Sequence, residues 1–335
     1  MELRRLGTSD MEITPIVLGT WGIGGWWWGG SDDEQAVKSI NRAIDLGANC
    51  IDTAPAYGFG HAEELIGEAI KGRRDEVYLA TKCGLRWDHE EGEHFFDDDT
   101  EQAGEVSVYR CLSRDSIMTE IERSLERLGV EHIDLYQCHW PDSTTPIEET
   151  MGALMELLDQ GIIGAIGVSN FSLEQHKECM RHGHLHSSQP RFSLLMRNSL
   201  TDVIPFCYEN DIATLVYSPL EQGLLTGKID TSTEFAEGDK RPLNNPWFKE
   251  DAMNQALEVI DETLRPIAEE HNATVAQITI ATTIALEGIT ATLLGCRQPK
   301  HVEENVGAAE VELSDDEVAR IVEAFSHLEP QKGFG

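Results

Sequence analysis

Four polar residues stand where apolar, strand-like runs end. Asp52 closes NCIDTA, Tyr57 follows in the next loop, Lys82 closes EVYLATK and His139 closes IDLYQCH. Together they are a set suited to carbonyl reduction. That reaction needs a proton donor near neutral pH, and a free tyrosine, with a pKa of about 10, is too weak an acid. A neighbouring lysine ammonium favours the phenolate and lowers that pKa, while a buried lysine needs a carboxylate to stay charged. A histidine can donate to the substrate oxygen as charge builds there. Further polar residues sit at strand ends: Ser169 and Asn170 after IGAIGV, Gln189 within SSQPRFS, and Tyr217 and Ser218 after IATLV. Singly each has a plain reading as a cap, a loop residue, a surface lysine or a core histidine. They become a site only if a fold aims those strand ends at one place.

The pattern along the chain supplies such a fold. Apolar runs alternate with segments of helical period: PIVLGT, NCIDTA, EVYLATK, IDLYQCH, IGAIGVS, SSQPRFS, IATLVYS and TATLLGC are each followed by a helix-like stretch. Asp32, Ser113, Pro146 and Ser172 stand at helix starts, and Gly47, Gly129, Gly161 and Gly183 just past helix ends. Eight such units without a linker predict a single α/β domain over 1–335, a (β/α)₈ TIM barrel, whose parallel strands present their C-terminal ends at one mouth. An N-terminal β-hairpin around GTSD precedes it. Extra helices are expected over TVAQITIATTIALEG and SDDEVARIVEAFSHLE. Long loops follow strand 3 (83–112) and strand 7 (221–250) and read as lids over the mouth, with disorder of the acidic span 88–108 as the alternative.

Composition excludes several classes. The chain has 60 acidic against 26 basic side chains, a formal charge of -34. Such a field repels nucleic acid and anionic membrane, so neither is an expected partner. Self-repulsion of this size is tolerable when screened, which predicts a halophile-like protein of a salt-rich cytoplasm. No apolar run is long enough for a membrane span, and MELRRLGTSD lacks a signal-peptide core. Seven cysteines without a C-x-x-C pair read as free, reduced thiols.

The runs IDTAPAYG, TKCG, LYQCHWPD, GVSNF, YSPL and GCRQPKHVEEN resemble those of the aldo-keto reductases, over essentially the whole chain. The resemblance implies (β/α)₈ enzymes that use NADP or NAD to reduce an aldehyde or ketone, with a tetrad of Asp52, Tyr57, Lys82 and His139. It places Ser169, Asn170 and Gln189 at the nicotinamide carboxamide and the ring of Tyr217 against the nicotinamide. Ser218, Leu220, Gly223, Leu224 and Lys228 would follow the pyrophosphate. Gly295, Cys296, Arg297, His301, Glu304 and Asn305 would surround the adenosine, with Arg297 near a 2′-phosphate favouring NADPH. Two departures stand out: Phe192-Ser193 replaces a usual Tyr-Asn, and His301 replaces a usual Arg or Gln, which makes NADPH preferred over NADH only moderately.

The glycine-rich stretch GTWGIGGWWWGG fails the G-x-G-x-x-G spacing, because residue 27 is tryptophan. It is the end of the first strand and its loop, so Gly19, Thr20 and Trp21 belong at the cofactor mouth. Trp21, Trp27, Trp28 and Trp140 are candidates for the substrate wall. Consecutive positions cannot all face inward, so one of Trp27 and Trp28 is expected to touch substrate while the rest pack. The run RHGHLHSS carries His182, His184 and His186 without supporting ligands, and no metal site is expected. The partners implied are a small carbonyl or alcohol substrate and, at most, a weak homo-oligomer. Two rivals remain: a metal-dependent hydrolase barrel, and an NADPH-binding regulatory subunit associated with a channel.

Overall fold

The computed structural model describes residues 1–100 and 104–329. A hairpin of β1 (Arg4–Arg5) and β2 (Glu12–Ile13) opens the chain, in the register Arg4↔Ile13. Then come β3 (Ile16–Gly19), β4 (Cys50–Asp52) and β5 (Tyr78–Cys83). A three-stranded antiparallel sheet interrupts, made of β6 (Leu85–Arg86), β7 (Glu93–Thr100) and β8 (Gly104–Arg110). The barrel resumes with β9 (Ile133–Cys138), β10 (Ile163–Ser169), β11 (Ser187–Gln189), β12 (Ala213–Val216) and β13 (Ala291–Gly295). The eight strands β3, β4, β5, β9, β10, β11, β12 and β13 pair in parallel and close on themselves. This is the expected (β/α)₈ barrel.

Helix starts follow the local chemistry. The side chains of Asp32, Ser113 and Ser172 accept backbone N–H bonds from Gln35, Ser116 and Gln175, and Ser172 completes a capping box. Gly129 ends its helix in the left-handed region, φ 65°, where a side chain would be strained. The long helix after β12 is broken in the middle. Glu250–Val259 and Arg265–Glu270 are joined by a wide turn, Ile260–Leu264, because Pro266 offers no N–H to continue the ladder. Val275–Ala285 and the closing helix Asp315–Ser326 are the two extra helices expected. Ile321 and Phe325 bury that last helix in a side core with Trp247 and Phe248.

The core lies in two shells. Leu6, Met11 and Ile13 of the hairpin plug the N-terminal end of the barrel against Val17, Leu135, Leu215 and Leu293. The larger shell fills the space between strands and helices. All seven cysteines are free and buried.

The acidic segment after β5 is a folded hairpin in its described part, not a disordered span. Along β7 the aromatic side turns inward: Phe95 and Phe96 pack with Leu85, Trp87, Val108 and Trp140. That burial supplies the apolar contact a charged segment otherwise lacks. Residues 101–103, within the expected loop, and 330–335 lie outside the described residues.

Candidate active site

Asp52 is the last residue of β4 and Lys82 lies one residue from the end of β5, so alternation along parallel strands turns both into the barrel. Tyr57 sits in the turn after β4, anchored by its N–H to the carbonyl of Ala54 at 3.1 Å. The loop after β3 packs against it so closely that a Cβ on Gly24 would lie 2.6 Å from the carbonyl carbon of Tyr57. Gly24 is therefore required where it is. Lys82 Nζ donates to Asp52 Oδ1 at 2.6 Å, to the Thr53 carbonyl at 2.9 Å and to Tyr57 Oη at 3.3 Å. His139, just past β9, is held by its N–H on the Cys83 carbonyl at 2.9 Å, and its ring stands edge-on to Tyr57 with centroids 5.7 Å apart. All four expected residues meet at one end of the barrel.

Burial decides the electrostatics. It raises the Tyr57 phenol above its ordinary value, outweighing the lowering by Lys82, while Asp52 raises it further. The expected net lowering is thus not found, because the phenol is deeply desolvated. Burial opposes the charge on Lys82, but Asp52 and Tyr57 more than compensate, and its pKa is raised. Burial, and then Lys82, hold His139 well below the usual histidine range, so the ring is neutral.

Asp52 Oδ2 accepts from two amides as well, Gln137 Nε2 at 3.0 Å and Gln189 Nε2 at 2.8 Å. The sequence alone does not single out Gln137, an interior residue of the run LYQCHWPD that is not at its strand end. Ser169 Oγ donates to the Gln189 carbonyl at 2.8 Å. Asn170 Nδ2 bonds the His139 carbonyl at 3.0 Å, and Tyr217 Oη donates to Asn170 Oδ1 at 2.8 Å, fixing the tyrosine ring.

From this end a cleft of about 1250 Å³ runs across the mouth. Gly19, Thr20, Trp21, Ser169, Asn170, Gln189, Tyr217, Ser218, Leu220, Gly223, Lys228, Gly295, Arg297, His301, Glu304 and Asn305 line it together with Asp52, Tyr57 and His139. Lys82 lies behind Tyr57. Leu224 and Cys296 are buried behind the wall, Leu224 in the side core and Cys296 as acceptor for Asn305 Nδ2. Past Tyr217 the backbone turns left-handed at Ser218 (φ 59°) and again at Glu221, Gln222 and Gly223. Such a run of turned N–H groups makes a concave cradle suited to an anion. Glu221, fully buried, holds that run by accepting from Arg191, Ser193 Oγ and Asn245 Nδ2. Lys228 reaches Glu304, both carboxylate oxygens at 2.8 Å, and Arg297 donates to the Trp28 carbonyl at 2.8 Å.

Trp26, Trp27 and Trp28 all line the cleft, contrary to the expectation for consecutive positions. Trp27 adopts φ 69°, between left-handed glycines at 25 and 29, and the chain coils so that successive indoles meet one space. Trp26 and Trp27 both donate Nε1–H to Asp98 Oδ2, and Lys240 pairs with Asp98 Oδ1. Trp28 stands edge-on to Trp21 at 5.4 Å, with the guanidinium groups of Arg241 and Arg297 near its ring. Its Nε1 is buried and has no hydrogen-bond partner among the described residues. Trp140 lies against Phe95 at the other rim, the rings tilted with centroids 5.3 Å apart.

The histidines of RHGHLHSS serve locally. His182 bonds Glu178 and His186 Nδ1 accepts from Ile166 N–H. Among the described residues no group of three His, Cys, Asp or Glu side chains is placed to hold a metal ion, and no helix is long and apolar enough to cross a membrane.

Residues 15–325 match the model of the aldo/keto reductase family. The chain is 36% identical over 330 residues to the NADH-specific methylglyoxal reductase of Escherichia coli, covering 97% of this chain and 98% of that one. It is 38% identical over 305 residues to the aldo-keto reductase YhdN of Bacillus subtilis, covering 90% and 87%. Among solved structures it is similar to the glycerol dehydrogenase AKR11B4 from Gluconobacter oxydans, with a TM-score of 0.86, 35% identity and coverage of 98% and 97%.

Proposed function

Since the chain belongs to the aldo/keto reductase family of oxidoreductases, we propose that Tyr57 is the proton donor for reduction of a small aldehyde or ketone at the expense of a nicotinamide cofactor. The observation that carries this reading is the buried series Asp52, Lys82, Tyr57, with contacts of 2.6 and 3.3 Å, ending at the cleft. The raised phenol holds its proton at neutral pH and is able to give it to the carbonyl oxygen. The Lys82 ammonium then stabilises the phenolate left behind, and Asp52 keeps Lys82 charged. His139, neutral, donates N–H to the same oxygen as negative charge develops. When bound, the dihydronicotinamide supplies the hydride that the carbonyl carbon accepts, so carbonyl, reduced cofactor and one proton give alcohol and oxidised cofactor.

The cleft fits such a cofactor. The left-handed run from Ser218 to Gly223 would curve around a pyrophosphate, with Lys228 beside it, although the Glu221 and Gly223 N–H groups are already held by the Ser218 and Leu220 carbonyls at 2.9 Å. Ser169, Asn170 and Gln189 would hold the carboxamide, and the anchored ring of Tyr217 would pack against the nicotinamide. Gly295, Cys296, His301, Glu304 and Asn305 would frame the adenosine, and Arg297 would meet a 2′-phosphate. Burial depresses His301, leaving a neutral ring where a second cation would strengthen phosphate binding. NADPH is therefore the favoured cofactor by a modest margin, and NADH remains usable. One relative is named as NADH-specific.

Trp21, Trp27, Trp28 and Trp140 would form the substrate wall. Relatives named for methylglyoxal and for glycerol put small oxygenated carbonyls first among substrates to try. A monomer or a weak homo-oligomer is the expected state. The charge of -34 supports a protein adapted to a salt-rich cytoplasm. The test is a panel of aldehydes and ketones with NADPH and NADH, beside Tyr57→Phe. The variant should bind cofactor normally and lose about a hundredfold or more in reduction. A Tyr57→Phe rate equal to wild type would end the assignment.

A further inference from the structure

One side chain joins the tetrad to the residues proposed to hold the carboxamide. Gln137 is fully buried on β9, in register with Lys82 on β5 and with Gly167 on β10. Its Nε2 donates to Asp52 Oδ2 at 3.0 Å, and its Oε1 accepts from Gln189 Nε2 at 3.3 Å. Gln189 lies on β11, with β10 between it and β9. The gap is bridged because Gly167 carries no side chain: a Cβ there would lie 2.8 Å from Gln137 Cγ and 2.4 Å from Ser187 Oγ. That missing Cβ is the passage through which the Gln137 arm reaches across the barrel.

We infer that Gln137 is a positioning residue that couples the acid side of the site to its cofactor side, bracing Asp52 with its N–H and fixing the rotation of the Gln189 amide with its carbonyl. The inference rests on the proposed roles of Tyr57 and Gln189. Asp52 collects three donors, Lys82, Gln137 and Gln189, which together meet its charge in a buried position. Gln189, its Nε2 spent on Asp52 and Gln137, has its Oε1 turned away from them, while the residue lines the cleft. An amide fixed in this sense is an acceptor for a carboxamide N–H.

Gln137→Met keeps the length and shape of the arm and removes both hydrogen bonds. Asp52 then bears its charge with one donor fewer, which raises the Tyr57 phenol further. The ionisable groups facing Tyr57 are Lys82, Asp52, His139 and Tyr217, and Cys50 faces Asp52 from below. None of these is altered by the substitution. In the reduction direction activity is lost as pH rises through the Tyr57 pKa. The alkaline limb of the kcat profile should therefore move upward by about half a unit or more. Cofactor Kd, read by quenching of tryptophan fluorescence, should weaken about fivefold, because the Gln189 amide keeps only one of its two holds, the bond to Asp52.

A purely structural role for Gln137 would lower Tm and leave both readouts unmoved. Gln137→Leu and Gln137→Asn, whose amide falls one methylene short of both partners, carry the same expectation, so failure of one variant to fold leaves the test standing. Folded variants with an unchanged alkaline limb and unchanged Kd, while Tyr57→Phe is inactive, overturn the inference alone. A fully active Tyr57→Phe overturns the reading of the site and this inference with it.

Discussion

Tyr57 is pulled in two directions, and burial wins over the nearby ammonium until a substrate oxygen is there to take the proton. Desolvation acts likewise on Lys82, His139 and Tyr217, and Glu120 shows it outside the site. This buried carboxyl accepts the Gly84 N–H on both oxygens, at 2.9 and 3.1 Å, just beyond the strand that carries Lys82. Burial lifts it to about 8, against lowering by Gly84 and Arg86. In the unfolded chain it ionises near an ordinary carboxyl pKa of about 4.3. Between those values unfolding releases a proton, so its contribution to stability is full below about pH 4 and is lost as pH rises to about 8. Glu120→Gln should flatten the fall of Tm across that window relative to wild type. Parallel Tm curves for the two proteins would assign the dependence elsewhere.

Among the elements, the loops over the mouth are tied to one another by specific contacts. The β7–β8 hairpin, the tryptophan loop after β3 and the segment around Lys240 converge on one carboxylate, Asp98, which is 7% exposed and bonded to Trp26, Trp27 and Lys240. A second seam joins the tryptophan loop to the segment after β12, where Lys240 N–H donates to the Trp27 carbonyl at 3.1 Å. Burial opposes the charge on Asp98, but Lys240 and the two indoles hold it below the ordinary carboxyl range, so the clasp stays ionised near neutrality. Asp98→Asn removes the ion pair and leaves one acceptor oxygen for two indoles. KM for the carbonyl substrate should rise about tenfold, with the alkaline limb of kcat unmoved, since Asp98 is not among the groups acting on Tyr57. An unchanged KM would show that the tryptophans hold their places without it.

At the scale of the whole molecule, the net charge of -34 is spread over a surface that carries exposed ion pairs such as Lys38–Glu34 and Lys177–Glu174. Such pairs contribute little each and cannot offset the repulsion among unpaired carboxylates. Screening can, because the Debye length shrinks from about 10 Å at about 0.1 M salt to about 3 Å at about 1 M. Tm should therefore rise by at least about 5 °C between about 0.1 M and about 2 M KCl. Indifference to KCl would sink the salt-adapted reading.

The sequence by itself determined the barrel, its plug hairpin, its helix caps and the meeting of Asp52, Tyr57, Lys82 and His139. Those follow from local periodicity and from one global rule, that a closed parallel barrel gathers its strand ends. Tertiary structure alone decided the rest. The acidic span became a hairpin because its aromatic residues found the mouth to pack on. Three neighbouring tryptophans share a cleft because residue 27 is left-handed. Gln137 joined the site because a glycine on the intervening strand leaves room for its arm. Each depends on which distant residue comes within a few ångströms, and spacing along one chain carries no record of that distance.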